Sequence, residues 1–300
     1  MNLTDQQKKR FLPVTTDQKH QSMIRAHHRK MKVKMQQDEK VYYDAEKDKL
    51  TIEQYYQGID FENDEGIRQS LEQLLKDTHS KQLDYDPSEH VYPWVDLRPN
   101  GNLTSIYSGK NRQPEEVIQE DYATSVKREK EIEKTSNTDH EKLKQIEKDF
   151  KYNCEHAVPQ SWFNEQEPMR GDLHHLFTCE PVCNSIRSNY PYHDFTDYNP
   201  GKMRASRIEE ACGKAEEELF EPEFGKGTVA RAMLYFLIRY PEGIEQAHKE
   251  EIDTKILLDW HQKFPPEIYE KHRNQAIYEM QGNRNPFIDF PEKMSDMFPL

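Results

Sequence analysis

One segment of this 300-residue chain stands out as its best candidate for a core helix. Between Thr228 and Tyr240, behind Gly225-Lys226-Gly227, the residues Val229, Met233, Phe236, Leu237 and Tyr240 recur at helical spacing, which predicts a core helix. The rest of the chain has to be arranged around it. Apolar residues make up only 34% of the sequence and charged residues 32%. The 11% aromatic share compensates, because each buried ring removes a large area from water. A folded body with polar extensions is the expectation. The longest apolar run, Ala232 to Ile238, falls far short of the roughly 20 residues that span a bilayer, so no membrane segment is expected.

Other elements follow from pattern. Ile67, Leu71, Leu74 and Leu75 lie on one helical face. Tyr92 to Tyr107, with Pro93, Pro99 and the turn Asn100-Gly101, reads as two short strands about a hairpin-like turn. Residues 112–150 are helical in propensity but lack an apolar stripe, which predicts an exposed excursion. Residues 201–219 read as polar surface structure. Ile252, Ile256, Leu257 and Trp260 mark a helix ending before Pro265-Pro266, and Glu267 to Met280 another. The tail QGNRNPFIDFPE has the turn chemistry of a loop.

The net charge of −13 excludes a protein coated in basic residues, as nucleic-acid binders often are. It leaves room for a local site. Residues 1–50 carry 12 Lys and Arg against 7 Asp and Glu, and the other 250 carry 30 against 48. The basic stretch Met23 to Lys40 reads as a solvated helix or ordered arm, or as an arm that attracts nucleic acid. Four cysteines (Cys154, Cys179, Cys183, Cys212) are too few for a disulfide scaffold; they fit free thiols, or one or two bridges.

Chemistry concentrates in residues 151–200, which read YNCEHAVPQSWF, then PMRGDLHHLF, then CEPVCNSIRSNYPY. Neighbours in a strand point to opposite faces, so Glu155 and His156 can serve one site only at a strand end or a bulge. Asn184 falls on a short helix, Pro181 to Ser188, with Pro181 suited to its first turn. Carboxylate and amide oxygens suit Mg²⁺, and a neutral His beside the ion can take a proton from water at pH 7. Several plainer readings stand beside this one. His156 can be an ordinary buried histidine, Arg187 and Arg231 can be ion-pair partners, and Trp162, Tyr190, Tyr192 and Tyr198 can be core. Cys179 and Cys183, near His174 and His175, can hold zinc, but two thiols or a local bridge is the simpler reading.

The runs N-x-E-H-x-x-P-x-S, D-L-H-H-L and N-x-x-R-S-N together resemble the bacterial endonuclease I family, a branch of the His-Me finger, or ββα-metal, nucleases. Phe220-Glu221-Pro222 leading to Gly227-Thr-Val-Ala-Arg-Ala-Met-Leu-Tyr is similar to that family's helix after the site. Gln281-Gly-Asn-Arg-Asn-Pro-Phe-Ile-Asp resembles the C-terminal block of its extracellular ribonuclease branch from Bacillus. Tyr55-Tyr56 and Ser105-Ile-Tyr-Ser resemble its opening segment. The blocks keep their order over roughly 52–300.

The resemblance implies an α+β fold with a ββα-metal (His-Me finger) core at about 150–190 in a mostly helical surround. It divides the chain into a charged extension, 1–50, and a nuclease domain, 51–300. It also implies an enzyme: an endonuclease that hydrolyses DNA, RNA or both to 5′-phosphate ends with little sequence preference. Residue by residue, His156 matches the general base, and Glu155 and Asn184 match the ligands of one Mg²⁺, which Mn²⁺ or Ca²⁺ can replace. Asp172 and His174 match the D-x-H of the second strand, with His175 supporting. Arg170, Arg187 and Arg231 are the candidates for contact with nucleic acid, joined by Arg284 as a further local cation. The loop Asn164-Glu-Gln-Glu-Pro168 is acidic where some members are basic, which argues against backbone binding on that side. The N-terminus has no apolar signal core, so cytoplasmic is the expectation for the chain as it stands, and secretion, usual in the family, is the alternative. The rival function is a nuclease-like binding module without turnover; it predicts a missing base or ligand, and none is missing.

Overall fold

The computed structural model describes residues 4–62, 66–135, 139–199 and 211–295. The first part is helical: α1 (Asp5–Phe11), α2 (Gln18–Gln37), α3 (Ala45–Tyr55) and α4 (Ile67–Thr78), then a single turn, α5 (Pro87–His90), running into a π-helical turn over Val91–Val95. A two-stranded ribbon, β1 (Leu103–Thr104) with β2 (Asn111–Arg112), leads to the helices α6 (Pro114–Glu133) and α7 (His140–Asp149). Next, β3 (Cys154–His156) pairs antiparallel with β4 (Leu176–Thr178), and α8 (Pro181–Arg187) follows directly. A third ribbon, β5 (Gly213–Glu216) with β6 (Leu219–Pro222), precedes α9 (Lys226–Arg239), α10 (Gln246–Glu250), α11 (Thr254–Lys263), α12 (Ile268–Gln281), α13 (Pro286–Asp289) and α14 (Pro291–Met294). The fold is α+β and mostly helical. No helix among the described residues is long and apolar enough to cross a membrane.

The predicted core helix is α9, buried along its length except at Thr228. A helix buried on all sides needs partners on all sides. They include Leu71 and Leu75 of α4 and Leu257, Leu258 and Trp260 of α11. Gly225, just before α9, has φ +76°, and a Cβ there would lie 2.5 Å from the Ile106 carbonyl oxygen. Glycine thus lets the start of α9 press against the turn between β1 and β2. That turn carries Tyr107 to the site described below.

Several segments depart from their sequence patterns. Strands form over only part of Tyr92–Tyr107, because Val91, Tyr92 and Val95 are buried in a helical turn and Pro93 has no N–H for a ladder. The Asn100-Gly101 turn precedes the β1–β2 ribbon instead of joining its strands. Residues 112–150 are not an exposed excursion: α6 buries Val117, Ile118 and Ile132, together with polar Asp121, Ser125 and Arg128. Asp121 accepts from Tyr92 Oη at 2.8 Å and the Asn153 backbone N–H at 2.9 Å. Arg128 donates to the carbonyls of Phe11, Glu147 and Phe150. Burial satisfied by hydrogen bonds leaves no mark in hydropathy.

The basic stretch is largely the helix α2, with Arg29, Lys30, Lys34 and Lys40 exposed as the solvated-helix reading expects, and with one side packed, where Ile24 and Met35 join Tyr92, Val95 and Leu103 in one cluster. The C-terminal tail is mostly short helices, and Asn283, Arg284 and Asn285 are buried. Within the stretch expected as polar surface, 201–210 lies outside the described residues, and the remainder contributes β5 and the start of β6.

Candidate active site

The β3–β4 register pairs Cys154 with Thr178, Glu155 with Phe177 and His156 with Leu176. Strand alternation sends Glu155 and His156 to opposite sides, and His156 is the last residue of β3, at the expected strand end. The two side chains meet contrasting surroundings.

Glu155 is buried among cations and phenols. Tyr107 Oη donates to its Oε1 at 2.7 Å, and Arg187 Nε lies 3.3 Å from the same oxygen. Tyr192 Oη is 2.8 Å from Tyr107 Oη. Burial pushes the carboxyl up to about 7, against the pull of Arg187, Tyr107 and Lys151.

His156 is packed by rings, with Tyr85 at 4.6 Å and His175 at 5.3 Å between centroids. Its Nε2 lies 3.0 Å from the Arg170 carbonyl oxygen. A carbonyl only accepts, so Nε2 carries the proton and Nδ1 is the unprotonated nitrogen of a neutral ring. Burial, reinforced by the charges of His175 and Arg170, holds the imidazole well below its ordinary value, so it is neutral at pH 7.

Asn184 enters from α8, whose first turn is set by Pro181. Its Nδ2 donates to the Cys154 carbonyl at 2.8 Å, on the residue just before Glu155. The amide donor is thereby committed to β3, and the ligand atom that remains is Oδ1. One carboxylate and one amide oxygen, both hard donors, fit an ion such as Mg²⁺ that keeps much of its water.

The other predicted residues are placed as follows. Asp172 and His174 lie on the turn before β4 rather than in the strand. Asp172 accepts from Tyr235, Tyr240 and Gln281, and His174 packs at 4.2 Å on Tyr235. His175 has its Nε2 2.7 Å from the Met169 carbonyl oxygen. These three brace the loop and do not meet Glu155. Arg170 is buried, with Nη2 donating to the Arg10 carbonyl at 2.8 Å and Nε to Gln160, and it reaches the site through its own carbonyl.

Three expected cations are committed to ion pairs. Arg187 is wholly buried against Glu155, because α8 packs it onto β3. Arg231 is paired to Glu270 at 2.6 Å, on the far side of α9. Arg284 is paired to Asp48 and Asp289. Trp162, Tyr192 and Tyr198 are buried, as the core reading predicts.

Cys183 is bridged to Cys212, not to a local partner, so the pair Cys179 and Cys183 is not a zinc site. The bridge ties α8 to the residue before β5. Cys154 and Cys179 are free, buried thiols whose titration burial pushes well up. Sequence reasoning assigned no role to Tyr107 or Lys151. The first sits in the Ser105-Ile-Tyr-Ser block, and the second lies four residues before Glu155.

The family model for endonuclease I matches residues 63–292. An extracellular deoxyribonuclease of Aeromonas hydrophila is 30% identical over 127 residues, 42% of this chain and 52% of that protein. An extracellular ribonuclease of Bacillus subtilis (strain 168) is 31% identical over 166 residues, 49% of this chain and 54% of the relative. One from Bacillus amyloliquefaciens is 35% identical over 137 residues, 40% and 44%. The chain thus spans about half the length of the curated relatives it matches. The match across most of the chain, including the segments that carry Glu155, His156 and Asn184, shows that this protein belongs to the endonuclease I family.

Proposed function

We propose that this protein is a Mg²⁺-dependent endonuclease with a ββα-metal core formed by β3, β4 and α8. The observation that carries the reading is that Asn184 of α8 is hydrogen-bonded back to β3, the strand that carries Glu155 and ends at His156. The related extracellular deoxyribonuclease and ribonucleases support a nucleic-acid substrate, DNA or RNA.

His156 takes a proton from the attacking water through Nδ1, while its Nε2–H stays anchored on the Arg170 carbonyl. Its low proton affinity keeps it in the basic form at neutral pH. Glu155 and Asn184 hold the cation. Tyr107 and Arg187 both engage Oε1 of Glu155, so Oε2 is the oxygen assigned to the ion. When bound, Mg²⁺ supplies charge stabilisation at the phosphorane and the leaving oxygen. A water nucleophile needs no 2′-hydroxyl, which accommodates both DNA and RNA; breaking the bond to the 3′-oxygen, which takes up a proton from solvent, leaves a 5′-phosphate and a 3′-hydroxyl. Arg187 keeps Glu155 in place, a positioning part rather than the phosphate contact expected from sequence.

The test incubates supercoiled plasmid and a long RNA with the protein and Mg²⁺, in parallel with EDTA, and resolves the products on a gel. Fragmentation that EDTA stops is the expected result. Undiminished cleavage in excess EDTA would refute the metal assignment, and intact substrates in Mg²⁺, Mn²⁺ and Ca²⁺ alike would refute the activity.

A further inference from the structure

We propose that Lys144, Lys148 and Lys151 form a phosphate track that carries a nucleic-acid backbone to the Glu155, His156 and Asn184 cluster. This rests on the proposed nuclease reading and names the surface by which that site holds a polyanion.

A cleft of about 340 Å³ opens beside the site. Cys154, Arg170 and Asn184 line it together with the three lysines. Lys144 and Lys148, at i and i+4, share a face of α7, and Lys151 follows just past the helix end and lines the same cleft. Leu143 and Ile146 occupy the opposite face and are buried with Phe11 of α1 and Ile132 of α6. This small separate core aims the lysines at the cleft.

Neighbouring cations are already committed. Arg128 is spent on three backbone carbonyls, Arg170 on Gln160 and the carbonyl of Arg10, and Arg187 on Glu155. The three lysines form no ion pair among the described residues. In a protein of net charge −13, three unpaired lysines on one cleft are a local surplus. Two acids share the cleft. Glu165 is taken by Arg10 at 2.9 Å. Glu147 is pushed up to about 7 by burial and by Glu165, so it carries less than a full charge at neutral pH.

The charges also form a sequence in space. Lys151 is near enough to Glu155 to favour its ionised form. Lys144 lines both this cleft and a second one with Arg10 and His140. At about 1.5 Å per helical residue Lys144 and Lys148 lie about 6 Å apart along α7. A strand of duplex presents a phosphate every ~3.4 Å along the axis, so these two match about two phosphates, and Lys151 offers a further contact on the same cleft.

The test uses full-length protein carrying His156→Ala, with fluorescent oligonucleotide duplex and single strand, binding being read by anisotropy across a KCl series in Mg²⁺. Each of Lys144→Gln, Lys148→Gln and Lys151→Gln should weaken binding about tenfold at 0.1 M salt and lower the log–log salt slope by about 0.7–0.9. Lys151→Arg should keep the parent's slope, which separates lost charge from lost packing at this half-buried position. Lys255→Gln, away from the cleft, should change neither quantity. A triple Gln variant with the parent's affinity and slope would overturn the track while leaving the nuclease reading intact. Failure of the parent to bind, together with absence of cleavage by the unsubstituted protein, would overturn both.

Discussion

Two polar regions of this protein use charge in opposite ways. In the β3–β4 ribbon and α8 the charged groups are buried and partnered: Glu155 with Tyr107 and Arg187, His156 with the Arg170 carbonyl. On and just past α7, Lys144, Lys148 and Lys151 form no ion pair among the described residues and line a cleft, while Leu143 and Ile146 of α7 are buried. A reacting group needs surroundings that set its protonation and aim, which burial and partners supply. A group meant to meet a phosphate must be left without an internal partner. Arg187, Arg231 and Arg284 fail that requirement, and Lys144, Lys148 and Lys151 meet it.

The sharpest way to break this contrast is His156→Ala. It should lower cleavage by about 10²–10⁴-fold with little change in oligonucleotide binding. Turnover at the unsubstituted rate would remove His156 from the mechanism. Breaking the bridge with Cys183→Ser should cost about 3–4 kcal/mol by the loop-closure relation for a separation of 29, read in urea unfolding. Cleavage should fall with it, because α8 carries Asn184 and Arg187. A variant that is destabilised yet fully active would show that α8 does not depend on this tether.

Glu155→Gln and Asn184→Ala should each raise the Mg²⁺ needed for half-maximal cleavage by about tenfold or more. The same ion gives a pH test. The Glu155 carboxyl, raised to about 7 by burial, is largely protonated at pH 6 and ionised at pH 8, and only the ionised form binds a cation. Apparent Mg²⁺ affinity should therefore rise with pH, by about tenfold between 6 and 8, and titration calorimetry would read it. A flat profile would mean that Glu155 is ionised throughout. The smallest effect belongs to α7: Leu143→Ala should loosen its footing and raise KM several-fold at unchanged kcat. A fall in kcat at constant KM would place α7 in the chemistry instead of in binding.

The site was legible in sequence to the extent that its residues are local. Glu155 and His156 are adjacent, Asn184 sits a few residues into a Pro-initiated helix, and the motif blocks keep their order. The Arg assignments were not legible, because an arginine is spent or free according to partners remote in sequence, such as Glu270 for Arg231 and Asp48 for Arg284. The excursion at 112–150 was misread for a related reason. Its buried side includes Asp121 and Arg128, whose burial depends on hydrogen bonds to Tyr92, Asn153 and Phe11.

By itself, then, the amino-acid sequence determined the core helix at the centre, the family pattern and the candidate residues for phosphodiester chemistry, since periodicity and local spacing are written along the chain. Tertiary structure alone decided that Cys183 pairs with Cys212, that Tyr107 reaches Glu155, and which cations remain unpaired. Those outcomes depend on which surfaces pack together across long sequence separations, and no local pattern records that packing.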